Sequence, residues 1–442
     1  MSATHGQSSQ LREQLRIYTG FPFNPILSKK IATIFAAKIN ILFNLLFERS
    51  NNTTFEGINR TILKNLFLAT LLIFFFSCKS DKKKESPSKI TPTNEVVSYA
   101  TGFEIEKSGD ITVLKVSSAW VGAEKVYSYA LVPKTKLAAI TLDRNAYDAI
   151  IPVPVERMVV TSTTHIPSLE ALGVSETLVG FPNTSLISSM ETRKRISNGA
   201  IKELGSNESI NTEMVIELQP EVVVGFGINN QNKAYQTIER SNIPIVYNGD
   251  WTENSPLGKA EWIKFFAPFF ELEQKADSIF KDIESSYLDT KKLVENVSKR
   301  PTVLTGGLYK DVWHVAGGNS WMSQFLKDAK ADYLWADSKE TGGLSLSLES
   351  VLEKAKTAEF WLNPSMHVGY NEMLEANRHY GQFDAFKNKS AYSNTIAKGP
   401  TGGLLYYELA PNRPDMVLKD LIHIFHPEVL PDHQLYFFKP LQ

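Results

Sequence analysis

The sequence predicts an α/β protein of two lobes with parallel-rich sheets, joined by one long connecting helix. Three observations carry this expectation. Short apolar runs of strand length alternate with helical segments from about residue 156 onward, the pattern of parallel strands covered on both faces. The alternation occurs twice, and Lys259 to Val297, a long, charged, amphipathic stretch, separates the two rounds. The chain has 442 residues, 43% of them hydrophobic and 11% aromatic, enough to fill two cores.

Each element follows from its local pattern. Ile111–Val116 and Val126–Val132 are β-branched and aromatic runs that read as strands. Arg157–Thr161 is a further short strand, and Ile166–Leu172 reads as a helix stopped by Gly173. Val179–Phe181 is a strand, Thr212–Leu218 a helix, Val222–Gly225 a buried strand, Gln231–Ser241 a helix and Ile243–Tyr247 a strand. The expected N-terminal lobe is 96–258, the connecting helix 259–299 (with Pro268 early in it) and the C-terminal lobe 300–442. In the second lobe Thr302–Leu304 reads as a strand, Ser320–Ala329 and Ser347–Lys356 as helices, and Glu359–Leu362 as a strand. A helical connection stiffens a hinge, so limited lobe closure is expected.

Charge and cysteine usage narrow the function. With 47 basic and 48 acidic side chains the formal net charge is -1, which gives no field for nucleic acid. The cysteine count is 1, which rules out an intramolecular disulfide, a multi-Cys zinc site and an iron–sulfur cluster. That cysteine, Cys78, closes a run in which Lys64 is basic, Leu66–Phe76 almost wholly apolar, and Ser77 small. These are the parts of an export signal. The small residue before the Cys resembles the bacterial lipobox, which implies lipidation at Cys78 and a cell-envelope location. The expected signal is 63–78, followed by a Lys-, Ser- and Pro-rich tether at 79–95. Residues 1–62 are either a true extension or the result of a start codon placed too early. The next methionine after Met1 is Met158, so a corrected start would use a non-ATG codon, for which Leu63 is the candidate.

One local pattern recurs in each lobe. Asn211 precedes a short helix with Glu213 in its first turn, and Val222–Val224 follows; Ser347 precedes a helix with Glu349 in its first turn, and Phe360–Leu362 follows. As local chemistry both glutamates suit a helix N-terminus.

From about Glu156 to the C-terminus the chain resembles the periplasmic binding proteins for iron–siderophore complexes and cobalamin, of the helical-hinge class. The resemblance runs through Arg157–Val160, Ser168–Gly173, the Glu213 helix with Gln219-Pro220-Glu221, Gly317–Ser320, the Glu349 helix, Arg413–Asp415 and His426–Glu428. It implies a substrate-binding lipoprotein whose partners are an ABC permease and its ATPase. It also implies that Glu213 and Glu349 dock onto permease arginines, and that the ligand is an iron chelate, corrinoid or haem.

A cleft of this kind needs apolar walls with a few placed polar groups. His165, Trp251, Tyr309, Trp313, Trp321, Arg378 and Tyr380 are the candidate ligand contacts, all near predicted strand ends or loops. Arg378 suits an anionic chelate. His165, His314, His367 and His379 form no close helical pair, and the C-terminal helix of the resemblance accounts for His423 and His426, so no bare-metal site or resident cofactor is expected. Haem ligation by His or Tyr stays open. No Gly-x-Ser-x-Gly elbow or Walker loop is present, and Asp250 with Glu253 is a weak carboxylate pair, so the expectation is a binding protein and not an enzyme. The alternative is a lipid-anchored hydrolase or adhesion-type module on the same scaffold.

Overall fold

A computed structural model describes residues 93–94, 96–229 and 231–442. The expected export signal with Cys78, the segment 1–62 before it and most of the expected tether lie outside the described residues.

The first sheet is built from strands in sequence order: β1 (Thr93–Asn94), β2 (Phe103–Ser108), β3 (Ile111–Val116), β4 (Tyr127–Pro133) and β5 (Ala149–Val153). Neighbours are antiparallel except β4 and β5, which run parallel. Gly109 takes φ 65 in the two-residue loop between β2 and β3, the left-handed conformation that tight hairpins need. Alternation decides which face packs: Phe103 and Ile105 are buried while Glu104 is exposed.

An α/β unit follows. Its elements are β6 (Met158–Val160), α1 (His165–Leu172), β7 (Leu178–Phe181), α2 (Met190–Ser197), β8 (Lys202–Glu203), β9 (Gly205–Ser206), β10 (Ser209–Ile210), α3 (Thr212–Leu218), β11 (Val222–Phe226), α4 (Lys233–Arg240) and β12 (Ile245–Asn248). Strand order is β12-β11-β6-β7-β8, all parallel. Met158–Val160, Leu178–Phe181 and Ile245–Asn248 are buried at every position, as strands covered on both faces require. The order reverses between β6 and β11, and open parallel sheets bind ligands beyond the strand ends at such a switch point. Gly173 ends α1 with φ 70, as the sequence predicts.

The connection is broken into pieces rather than being one helix over 259–299. It consists of α5 (Pro256–Glu261), α6 (Ile263–Phe266), a 3-10 turn at Ala267–Phe269 containing Pro268, and the 20-residue α7 (Glu273–Lys292). Proline lacks the N–H that an uninterrupted helix would use there. Along α7, Ala276 and Phe280 enter the first core and Tyr287 enters the second, so one helix is anchored in both.

The C-terminal lobe contains β13 (Thr302–Thr305), β14 (Gly307–Tyr309), β15 (Val312–Ala316), α8 (Trp321–Asp328), β16 (Asp332–Tyr333), β17 (Gly343–Leu346), α9 (Leu348–Ala355), β18 (Phe360–Leu362), α10 (Tyr370–Ala376), α11 (Asp384–Lys387), β19 (Ala391–Ser393), α12 (Leu405–Leu409), α13 (Pro414–Phe425) and β20 (Lys439–Pro440). The main sheet runs β16-β13-β18-β19-β20, parallel except for β20, and β14-β15-β17 form a small antiparallel sheet beside it. The predicted two-lobed, parallel-rich α/β architecture is therefore the observed one.

Candidate functional site

β12 delivers one wall of an inter-lobe cavity. The strand is followed by Gly249, where a Cβ would lie 1.8 Å from the Ser118 carbonyl oxygen, so only glycine lets the chain turn there. The next three residues, Asp250–Thr252, form a 3-10 turn that presents Trp251. Ser255 then caps α5 by accepting from the Gly258 N–H at 3.0 Å, with Pro256 opening the helix. One turn on, the Lys259 Nζ reaches back and donates to the carbonyls of Asp250 (3.0 Å) and Trp251 (3.2 Å), holding the tryptophan loop from behind.

The facing wall comes from the turn after β15. Added Cβ atoms at Gly317 and Gly318 would meet the carbonyl oxygens of Glu340 at 2.2 Å and Ser338 at 2.3 Å, so both glycines allow a close backbone crossing. Ser320 caps α8, and Trp321 is the first residue of that helix. Its ring rests on Phe325 at 5.5 Å and Tyr406 at 5.6 Å. The Lys259 Nζ lies 5.1 Å from the Trp321 ring centroid, a cation–π contact across the lobe boundary.

Between these walls is a cavity of about 320 Å³, lined by Trp251, Glu253, Asn254, Lys259, Trp321 and Met322 among others. Burial pushes the Lys259 ammonium below its ordinary value, against the pull of Asp250 and Glu253. The Glu253 carboxylate is committed: it accepts from the Thr101 N–H (2.7 Å), the Gly102 N–H (2.8 Å) and the Trp262 indole (3.2 Å). It therefore fastens the first sheet to this lobe and is not half of an acid–base pair. Two indoles, one buried cation and an engaged carboxylate thus line one inter-lobe cavity.

Of the predicted ligand contacts, the structure brings Trp251 and Trp321 together at this cavity. Trp313 and Tyr380 are corrected to core positions. Along β15 exposed and buried residues alternate, which turns Trp313 inward, where it stacks on Trp361 at 5.2 Å and donates to the Thr305 carbonyl at 3.1 Å. Tyr380 lies edge-on to both indoles, and its hydroxyl accepts from the Leu308 N–H at 3.2 Å. His165 is also withdrawn from solvent: it opens α1 fully buried, 5.3 Å from the Phe266 ring, and burial pulls its imidazole down to about 4. Tyr309 is 67% exposed on the β14–β15 hairpin, and Arg378 lies on the 3-10 turn Arg378–Gln382; neither lines this cavity. Lys259 gives no signal in the sequence, because a lysine opening an amphipathic helix reads as a solvated one.

Glu213 and Glu349 both lie in the first turns of their helices, α3 and α9. Asn211 and Ser347 cap those helices, accepting from the N–H groups of Met214 at 3.0 Å and Ser350 at 3.2 Å. Its own backbone N–H and the Ser347 hydroxyl hold the Glu349 carboxyl below the usual range. Among the described residues no group of three or more His, Cys, Asp or Glu side chains is placed to hold a metal ion, and no helix is long and apolar enough to cross a membrane.

Comparison with known proteins agrees with this geometry. Residues 158–394 match the family model described as periplasmic binding protein. An uncharacterized lipoprotein of Methanocaldococcus jannaschii is 27% identical over 298 residues, covering 65% of this chain and 69% of the relative. A periplasmic binding protein from Veillonella parvula shares the fold with a TM-score of 0.52 at 15% identity, covering 77% of this chain and 96% of that one. A periplasmic heme-binding protein from Roseiflexus sp. RS-1 does so with a TM-score of 0.50 at 20% identity, covering 62% and 99%. The chain belongs to the periplasmic binding protein family, whose members bind solutes.

Proposed function

We propose that this member of the periplasmic binding protein family is the lipid-anchored substrate-binding component of an ABC importer, tethered through Cys78. It captures an iron chelate, corrinoid or haem between its lobes and delivers it to a permease and its ATPase. The observation that carries this reading is the inter-lobe cavity walled by Trp251 on one lobe and Trp321 on the other. At about 320 Å³ the cavity is at the small end of ligand pockets, which favours a compact iron chelate over a tetrapyrrole unless the lobes part. The matching settings of Glu213 and Glu349, one per lobe, support their role as docking points on the permease.

The test is a titration of the purified protein with a ferric hydroxamate chelate, a corrinoid and haem, followed by indole fluorescence. One class should quench saturably with a Kd of about 1 μM or tighter, corresponding to roughly -8 kcal/mol. Trp251→Ala and Trp321→Ala should each weaken that binding about tenfold or more. If none of the three classes binds, the importer reading is wrong.

A further inference from the structure

A second connection between the lobes, separate from α7, is built from the chain after β19. Residues 399–403 form a turn closed by the Gly399 N–H on the Gly403 carbonyl at 2.8 Å, with Gly402 at φ 94. The turn lies directly on the N-terminal lobe. A Cβ at Gly399 would fall 2.5 Å from the Ser188 Cα, and one at Gly403 would fall 2.0 Å from the Leu186 carbonyl oxygen. Thr401 Oγ1 donates to the Ser185 carbonyl at 2.8 Å.

α12 and the residues after it continue the contact. The buried Glu408 carboxylate accepts from the Ser188 N–H at 2.5 Å and the Ser189 N–H at 2.9 Å. Asn412 Nδ2 donates to the Thr164 carbonyl at 2.9 Å, while its Oδ1 accepts from the Ser168 hydroxyl at 2.8 Å. On its other side the segment is part of the C-terminal core through Tyr406 and Ala410. Tyr406 also packs against Trp321, so this segment adjoins the cavity wall.

We infer that residues 399–412 are a clasp that fastens the C-terminal lobe onto residues 184–189 of the N-terminal lobe and sets how far the lobes can part. Two features separate a clasp from incidental packing. A carboxylate removed from water is directed at backbone N–H groups of the opposite lobe, and two glycines occur where any side chain would hold the lobes apart. α7 is anchored in both cores as well, so the clasp adds to a tie that the connection already makes. The inference rests on the fold and not on what the cavity binds, so it can fail while the importer reading stands, and the reverse.

Hydrogen exchange in the purified full-length protein tests it, because the Ser188 and Ser189 amides bond to Glu408, a residue of the other lobe. In the wild type both amides should be protected. Gly399→Val and Gly403→Val remove no hydrogen-bonding group, yet each should speed exchange at Ser188 and Ser189 about tenfold or more and enlarge the radius of gyration in solution scattering. Unprotected Ser188 and Ser189 amides in the wild type, or wild-type exchange in both glycine variants, would overturn the clasp. Should either glycine variant fail to fold by circular dichroism, Thr401→Ala and Glu408→Gln decide the matter by the same two readouts.

Discussion

Lys259 and Trp321 meet across the lobe boundary, with the ammonium 5.1 Å from the indole centroid and its other contacts on the carbonyls of Asp250 and Trp251. One buried side chain of the connection thus holds the tryptophan loop of the N-terminal lobe and touches the tryptophan of the C-terminal lobe. Lys259→Met keeps the length of the side chain and removes the charge. It should destabilise the protein by about 2–3 kcal/mol, since two carbonyls lose a charged donor. Denaturant unfolding measures the loss; a change under about 0.5 kcal/mol would mean that the lysine does not hold the loop.

Trp313 and Tyr309 make a pair of opposites on one hairpin. Trp313→Ala should cost about 3–5 kcal/mol, because it empties a stacked aromatic core. Tyr309→Ala should stay within about 0.5 kcal/mol, since that side chain is 67% exposed. Unfolding of the two variants side by side checks the correction of Trp313 from ligand contact to core.

His165 gives a pH signature. Its imidazole is pulled from 6.5 to about 4 by burial, so the unfolded chain takes up a proton before the folded one does. Stability from the neutral ring is complete above about pH 6.5 and is lost as pH falls toward 4, by up to roughly 3 kcal/mol. His165→Gln should flatten the stability profile in that window. An unchanged slope would show that the ring is solvated.

Glu408 works in the opposite sense. Burial, joined by the nearby Glu170, raises its carboxyl from 4.5 to about 7. The folded protein then holds a proton that the unfolded chain has released, and the contribution is full below about pH 4.5 and lost as pH rises to 7, by at most about 3 kcal/mol. Glu408→Gln should remove this slope. If the slope between pH 4.5 and 7 survives the substitution, another group is its source.

The proposed docking role of Glu213 and Glu349 is tested with both residues together. Charge reversal of Glu213 and Glu349 should abolish ligand uptake in cells while leaving ligand affinity unchanged, because neither side chain lines the cavity. A modest fall in melting temperature is expected, since each reversal puts a cation at a helix N-terminus. Uptake at the wild-type rate in the double variant would remove them from the permease interface.

Much of the architecture is legible in the sequence because it depends on local periodicity. Ile111–Val116 and Thr212–Leu218 form the expected elements residue for residue, and Gly173 closes α1 as its lack of a Cβ allows. Capping chemistry likewise puts Glu213 and Glu349 in first turns. Tertiary packing decided the rest. Strand alternation implies that Trp313 or its neighbours are buried, but which face of β15 turns to the core depends on Trp361, far along the chain. Lys259 reads as a surface lysine, and only the meeting of the two lobes encloses it. The clasp leaves no sequence signal for the same reason: Gly399, Gly403 and Glu408 act on Ser188 and Leu186, and contacts between segments so distant in the chain leave no periodic trace in either one.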